Sequence, residues 1–185
     1  PNRGPPAPDA SPSNPASPQL RISLALAIAL TSGGWIFYNT NILNEYRTND
    51  QNEKLQADAE RALLKFEKQP QPRIIGVTLN VALHPEETRA VTAGVFLIEN
   101  RTKAPLKEVH VNLPSDLDVP TLDVDGATLT KNYEDYAYRI YTFAQPMQPG
   151  ERRHIRFKTV LEQKGFKNSG NMTDILGNGT FLNNL

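Results

Sequence analysis

Residues 22–38 read ISLALAIALTSGGWIFY, 17 consecutive residues without a charge in a chain that is otherwise 22 % charged. As a helix they extend roughly 25 Å, against a bilayer hydrocarbon core of about 30 Å. Three readings compete for this run. A transmembrane helix accounts for the missing charges and places Trp35, Phe37 and Tyr38 where aromatic rings meet lipid head groups. A signal peptide is imitated by Arg21, the apolar residues 22–30 and the small residues 31–34, although a proline-rich leader precedes them. A buried soluble helix is disfavoured by adjacent Gly33 and Gly34, at about 1 kcal/mol each relative to alanine. The transmembrane reading fits best. Basic residues do not orient it, because Arg3 and Arg21 on one side balance Arg47 and Lys54 on the other.

Composition removes several function classes. At 185 residues and 38 % hydrophobic content the chain has material for one core plus appendages. Its 20 basic and 20 acidic residues cancel, so no excess positive charge gathers nucleic acid. There is no cysteine, which excludes disulfides, thiolate zinc sites and a cysteine nucleophile. The start at Pro1 and the stop within an Asn-rich stretch suggest a piece of a longer protein.

The order of compositions predicts five segments. Residues 1–20 form a linker, since seven of the first eighteen are proline. The transmembrane helix occupies 21–38. A helical stalk occupies 39–72, where residues 44–68 carry Leu55, Ala59, Ala62, Leu63 and Phe66 at helical spacing before Pro70 and Pro72 end it. That stripe suits either a partner or a cap on the domain that follows. Residues 73–164 switch to a period of two. Ile75, Val77, Leu79, Val81 and Leu83 fall on one face of a strand, a turn follows at His84 to Glu87, and 89–99 supplies an antiparallel partner. Further strands are expected at 107–113, 117–124, 127–130, 136–143 and 153–162, which together predict a mainly β, antiparallel sandwich or saddle. Residues 165–185 read as an irregular tail.

Chemistry-bearing patterns are weak, and no catalytic, cofactor-binding or metal residue is predicted. His84 begins HPEET, but Pro85 opposes a helix and no second histidine follows; His110 and His154 lie on other strands. Asp123, Asp125 and Glu134 imitate calcium-loop spacing, yet position six is Thr128 and Gly126 sits at position four, so Asp125-Gly126 reads as a hairpin turn. Asn100, Asn171 and Asn178 each open a glycosylation acceptor pattern, as chance allows in a chain rich in asparagine. Tyr133, Tyr136, Tyr138, Tyr141 and Phe143 offer either a recognition surface or a strand buried on both sides, and the second is favoured.

Taken in order, GGWIFYNTNILNEYRT, the polar helix ending in PQPRI, the pair around LNVALHPEETRAVTAGVFLIENRT, the turn MQPGE, and GFKNSG followed by NGTFLNN resemble one family over residues 33–185. It is that of bacterial membrane proteins that join an ABC-transporter-type permease to an aminopeptidase N-like zinc peptidase. The resemblance implies a last membrane span followed by the peptidase's non-catalytic N-terminal β-domain, at the bacterial inner membrane and on a side left undetermined. It implies as partners the lipid bilayer, a downstream catalytic domain and an upstream permease segment, with no nucleic acid. In that family H-E-x-x-H and a later glutamate hold zinc, and a G-x-M-E-N loop takes the substrate's amino end. None of these motifs occurs in the 185 positions, so zinc is expected only in a catalytic domain beyond them. The alternative is a membrane-anchored β-sandwich that binds or adheres to a partner without peptidase activity.

Overall fold

Two helices precede two antiparallel sheets in this computed structural model, which describes residues 17–114, 117–168, 170 and 175–180. Helix α1 spans Pro18–Phe37, with the proline in the first turn, where a backbone donor has no helical partner to lose. No residue of α1 is buried, and nothing lies within 4 Å of where a Cβ would sit on Gly33 or Gly34. Among the described residues the soluble-core reading finds no core around this helix. Thr31 donates its hydroxyl to the Ala27 carbonyl at 2.8 Å, which satisfies it without water. Pro18–Ile42 is long and apolar enough to cross a membrane, a test that a signal sequence also passes.

The polar residues after the aromatic stub reshape the helix end. Asn39 Nδ2 donates to the Trp35 carbonyl and Thr40 Oγ1 to that of Ile36, both at 2.9 Å, while Asn41 Nδ2 reaches Phe37 at 3.4 Å. With these side chains on the last carbonyls, the backbone widens to a π turn over Tyr38–Ile42, and the Leu43 N–H bonds the Tyr38 carbonyl at 3.0 Å.

Helix α2 covers Asn49–Leu63 and tightens into a 3₁₀ turn at Leu64–Phe66. It begins later than the predicted residue 44 because Thr48 and Gln51 form a reciprocal capping box: the Gln51 N–H donates to Thr48 Oγ1 at 3.3 Å, and the Thr48 N–H to Gln51 Oε1 at 2.9 Å. Leu55, Ala59, Ala62, Leu63 and Phe66 are half-buried, as their spacing predicts.

The expected antiparallel β-architecture is present. Strands β1 (Arg73–His84), β2 (Arg89–Glu99), β7 (Arg152–Glu162) and β4 (Asp118–Val124) form one sheet in the order β1-β2-β7-β4. Strands β3 (Leu106–Asn112), β6 (Tyr138–Met147) and β5 (Ala127–Tyr133) form the other, in the order β3-β6-β5. Ile98, Leu106, Val109, Val124, Tyr141, Phe143, Met147 and Ile155 pack between the two as the core. Gly94 sits where a Cβ would lie 2.3 Å from Phe157 Cζ and 2.7 Å from Leu79 Cδ2, so glycine there lets an aromatic ring cross the sheet surface.

Three local expectations are corrected. Ile74 pairs with Ile98 and Gly76 with Leu97, so Ile75 is the extra residue of a bulge, and Ile74 in its place shares the face of Val77, Leu79, Val81 and Leu83. Asp125 and Gly126 do not close a hairpin, because β4 pairs with β7 and β5 with β6. The turn, with Gly126 at φ +70°, instead passes the chain from one sheet to the other. The tail holds a short antiparallel pair, β8 (Ile175–Leu176) with β9 (Gly179–Thr180), and Ile175 is buried.

Candidate functional site

The longest strand carries the most distinctive surface. β1, β2 and β7 run 12, 11 and 11 residues, whereas β3 and β5 run seven each. The three-stranded sheet packs on the four-stranded sheet around Ile98, Val124 and Ile155, with Phe96 and Leu122 partly covered. The inner face of β1 stays open: Ile74, Val77, Leu79, Val81 and Leu83 are each 40 % to 56 % exposed. Isolated exposed leucines are ordinary, but five aligned on one strand make a continuous apolar strip.

Next to this strip the sheets part to leave a cavity of about 400 Å³. Its walls are chiefly Ile74, Phe96, Ile98, Val109, Leu122 and Phe157. The Phe96 and Phe157 rings tilt against each other at 4.6 Å between centroids. Gln71 closes part of the rim by accepting the His110 backbone N–H at 2.8 Å, which occupies a donor on β3. β1 carries no charge between Arg73 and His84 and has β2 as its one neighbour in the sheet. Such a long, uncharged edge strand is a surface that another chain segment can cover.

The polar candidates are dispersed. His84 ends β1 exposed at a turn, His110 lies on β3 and His154 on β7; among the described residues no three His, Cys, Asp or Glu side chains converge as a metal site. The His110 side chain is only 4 % exposed. Its Nδ1 lies 2.7 Å from the Tyr138 hydroxyl, and Nε2 lies 3.4 Å from Glu108 Oε2 in an alignment too poor for a hydrogen bond. Burial holds the ring's pKa below its ordinary value, against the opposing pull of Glu108.

Asp125 is occupied by protein partners. Its carboxylate accepts the backbone N–H of His154 at 3.1 Å, lies 3.1 Å from His154 Nδ1, and pairs with the Arg156 guanidinium. The Arg156 bond first, and His154 after it, hold this carboxyl below the usual range. Glu134, the supposed twelfth calcium ligand, lies beyond the far end of β5 and accepts from Asn132 at 3.1 Å. Of the glycosylation patterns, Asn100 is fully buried, Asn178 is exposed in the β8–β9 turn, and Asn171 lies outside the described residues.

The aromatic cluster follows the bland reading. On β6, Tyr141 and Phe143 enter the core between the sheets. On the opposite face Tyr138 stacks on Phe66 at 5.9 Å, and Phe66 also meets His110 edge-on at 5.0 Å and Tyr133 at 6.3 Å. The amphipathic helix thus caps the outer face of the three-stranded sheet. Sequence periodicity located Val77, Leu79, Val81 and Leu83 of the apolar strip, with Ile75 expected where Ile74 stands, but nothing local signalled that they would be left uncovered.

No family model and no curated protein matches the chain. Among solved structures, the M1 zinc metallopeptidase from Deinococcus radiodurans is similar at 15 % identity over 51 % of this chain and 21 % of that one, with a TM-score of 0.40. A two-domain M1 zinc metallopeptidase mutant bound to L-arginine is similar at 17 % identity over 56 % of this chain and 22 % of that one, with a TM-score of 0.39. The chain spans roughly a fifth of the length of these structures.

Proposed function

We propose that this chain is a membrane-attached, non-catalytic N-terminal β-domain of an aminopeptidase N-like zinc peptidase, in which its open sheet face mates with a catalytic domain. The observation that carries the reading is the strip Ile74, Val77, Leu79, Val81 and Leu83 beside the 400 Å³ cavity, an apolar surface shaped for cover rather than for water. The order of sequence motifs over residues 33–185 supports the choice of family, and the exposed helix α1, uncharged from Ile22 onward, supports attachment through lipid. In this reading zinc and its ligands belong to the mating domain, and a permease segment precedes α1.

Producing the chain together with the coding sequence that follows Leu185 tests the proposal. The extended protein is expected to contain H-E-x-x-H, bind zinc and release residues from peptide amino ends. Val81→Glu should lower that activity about tenfold or more by charging the mating face, while leaving β-domain stability within about 0.5 kcal/mol because the side chain is half-exposed. An extended frame without the motif, or an active enzyme indifferent to Val81→Glu, overturns it. The second reading, an anchored binding module, is favoured by the uncharged β1 edge, which offers backbone pairing to a foreign strand.

A further inference from the structure

Asn39 and Thr40, just past the apolar helix, are buried to 2 % and 7 % exposure, although no residue of α1 or α2 is buried. A flexible connection between a membrane helix and a soluble domain has no need of a dry polar knot. Here the cover comes from the other end of the chain. Asn44 Nδ2 donates to the Asn39 carbonyl at 2.8 Å and to the Lys164 carbonyl at 2.7 Å, with Phe166 at 3.4 Å, joining positions 120 residues apart. Gly165 takes φ +58° against the same turn, and a Cβ there would stand 2.1 Å from Asn39 Oδ1 and 3.2 Å from Leu43 Cδ1. Behind it, the Gln163 N–H bonds the Thr88 carbonyl at 3.2 Å, which fastens the segment to the β1–β2 turn.

We infer that the π turn at Tyr38–Ile42 and residues 163–166 form a rigid mount that holds α1 at one fixed bearing to the β-body. Three features set it apart from a hinge. The turn is wound by its own side chains, which occupy the last carbonyls of α1, the contact admits glycine alone at position 165, and one amide side chain bridges helix end and strand exit. The mount places the end of the four-stranded sheet that carries Pro85–Glu87 nearest to the helix exit. Where α1 lies in lipid, which rests on the function proposed above, the apolar strip of β1 is then presented at a constant attitude to the bilayer.

The absence of native cysteine makes the test direct. Ser32→Cys and Thr121→Cys, both at exposed positions on α1 and β4, take a pair of spin labels in the full chain in detergent, and pulsed dipolar spectroscopy reads the distance between them. A narrow distribution is expected. Gly165→Ala, which drives a methyl into Asn39, and Asn44→Ala, which removes the bridge without adding an atom, should each broaden it about two-fold or more as the joint opens locally. The thermal midpoint of the β-body should hold in both variants. A broad distribution in the parent chain, or widths unchanged in folded variants, overturns the inference. Extraction from membranes by alkaline carbonate separately reports whether α1 is a lipid anchor, so failure of that reading is distinguishable from failure of the mount.

Discussion

Asn100 has no solvent exposure, and every polar atom of its side chain is used. Nδ2 donates to the carbonyls of Ala104 at 2.9 Å and Met147 at 2.8 Å, while Oδ1 accepts the Thr102 N–H at 2.9 Å and its hydroxyl at 2.7 Å. Its backbone adds bonds to Glu151 and Gly150 across the β6–β7 connection. Asn100→Ala would strand the buried Met147 carbonyl and take a partner from the half-buried Thr102 amide, so we expect a loss of about 2 kcal/mol in urea unfolding. In the sequence this residue shows only as a glycosylation pattern, because its partner Met147 is remote along the chain. His110 supplies a pH effect. Its folded pKa lies below the ordinary 6.5, so between the two values the unfolded chain binds more protons. Stability from the neutral ring is complete above pH 6.5 and is lost as pH falls through the folded value. Glu108 opposes the downward shift and Lys131 reinforces it, while Tyr138 and, over the Phe66 ring, Lys65 complete the surroundings. Thermal midpoints measured between about pH 7.5 and 5 should fall more in the parent than in His110→Gln, which has no titrating ring.

At the level of elements, α2 depends on one residue beyond its own end. Phe66 meets Tyr138, His110 and Tyr133, so Phe66→Ala should cost about 3 kcal/mol and release α2 to rapid amide exchange while the sheet core stays protected. β2 and β7 depend on an absent side chain. Gly94→Ala puts a methyl 2.3 Å from Phe157 Cζ, and the expected outcome is a loss of about 1–3 kcal/mol, seen as a lower urea midpoint at unchanged slope. Element types were readable because their signals are short-ranged: Leu55 to Phe66 repeat at helical spacing, and Val77 to Leu83 alternate. The capping box that starts α2 was present as Thr48 and Gln51, although the stripe alone placed the start too early. The bulge at Ile75 was not readable, since Ile74 and Ile75 are equally apolar and only pairing with Ile98 and Leu97 decides which one turns inward.

For the whole molecule, the exposed helix is the feature that bears most on where the chain works. If α1 lies in lipid, Leu26→Arg near its middle should cost about 3 kcal/mol of insertion free energy and shift the protein from the carbonate-resistant pellet to the supernatant. The same substitution leaves the β-body untouched, because no α1 residue is buried against it.

What the sequence by itself determined was local: an uncharged run of 17 residues, a helical stripe, alternating strands and the punctuation between them. Each depends on backbone sterics and on which side chains share a face within a few residues. Only the tertiary structure decided that β4 leaves β5 to join β7, that Val77 to Leu83 stay uncovered, and that Gly165 closes on Asn39. Those outcomes depend on burial and hydrogen bonding summed over residues far apart in the chain, and no window of neighbouring positions contains that sum.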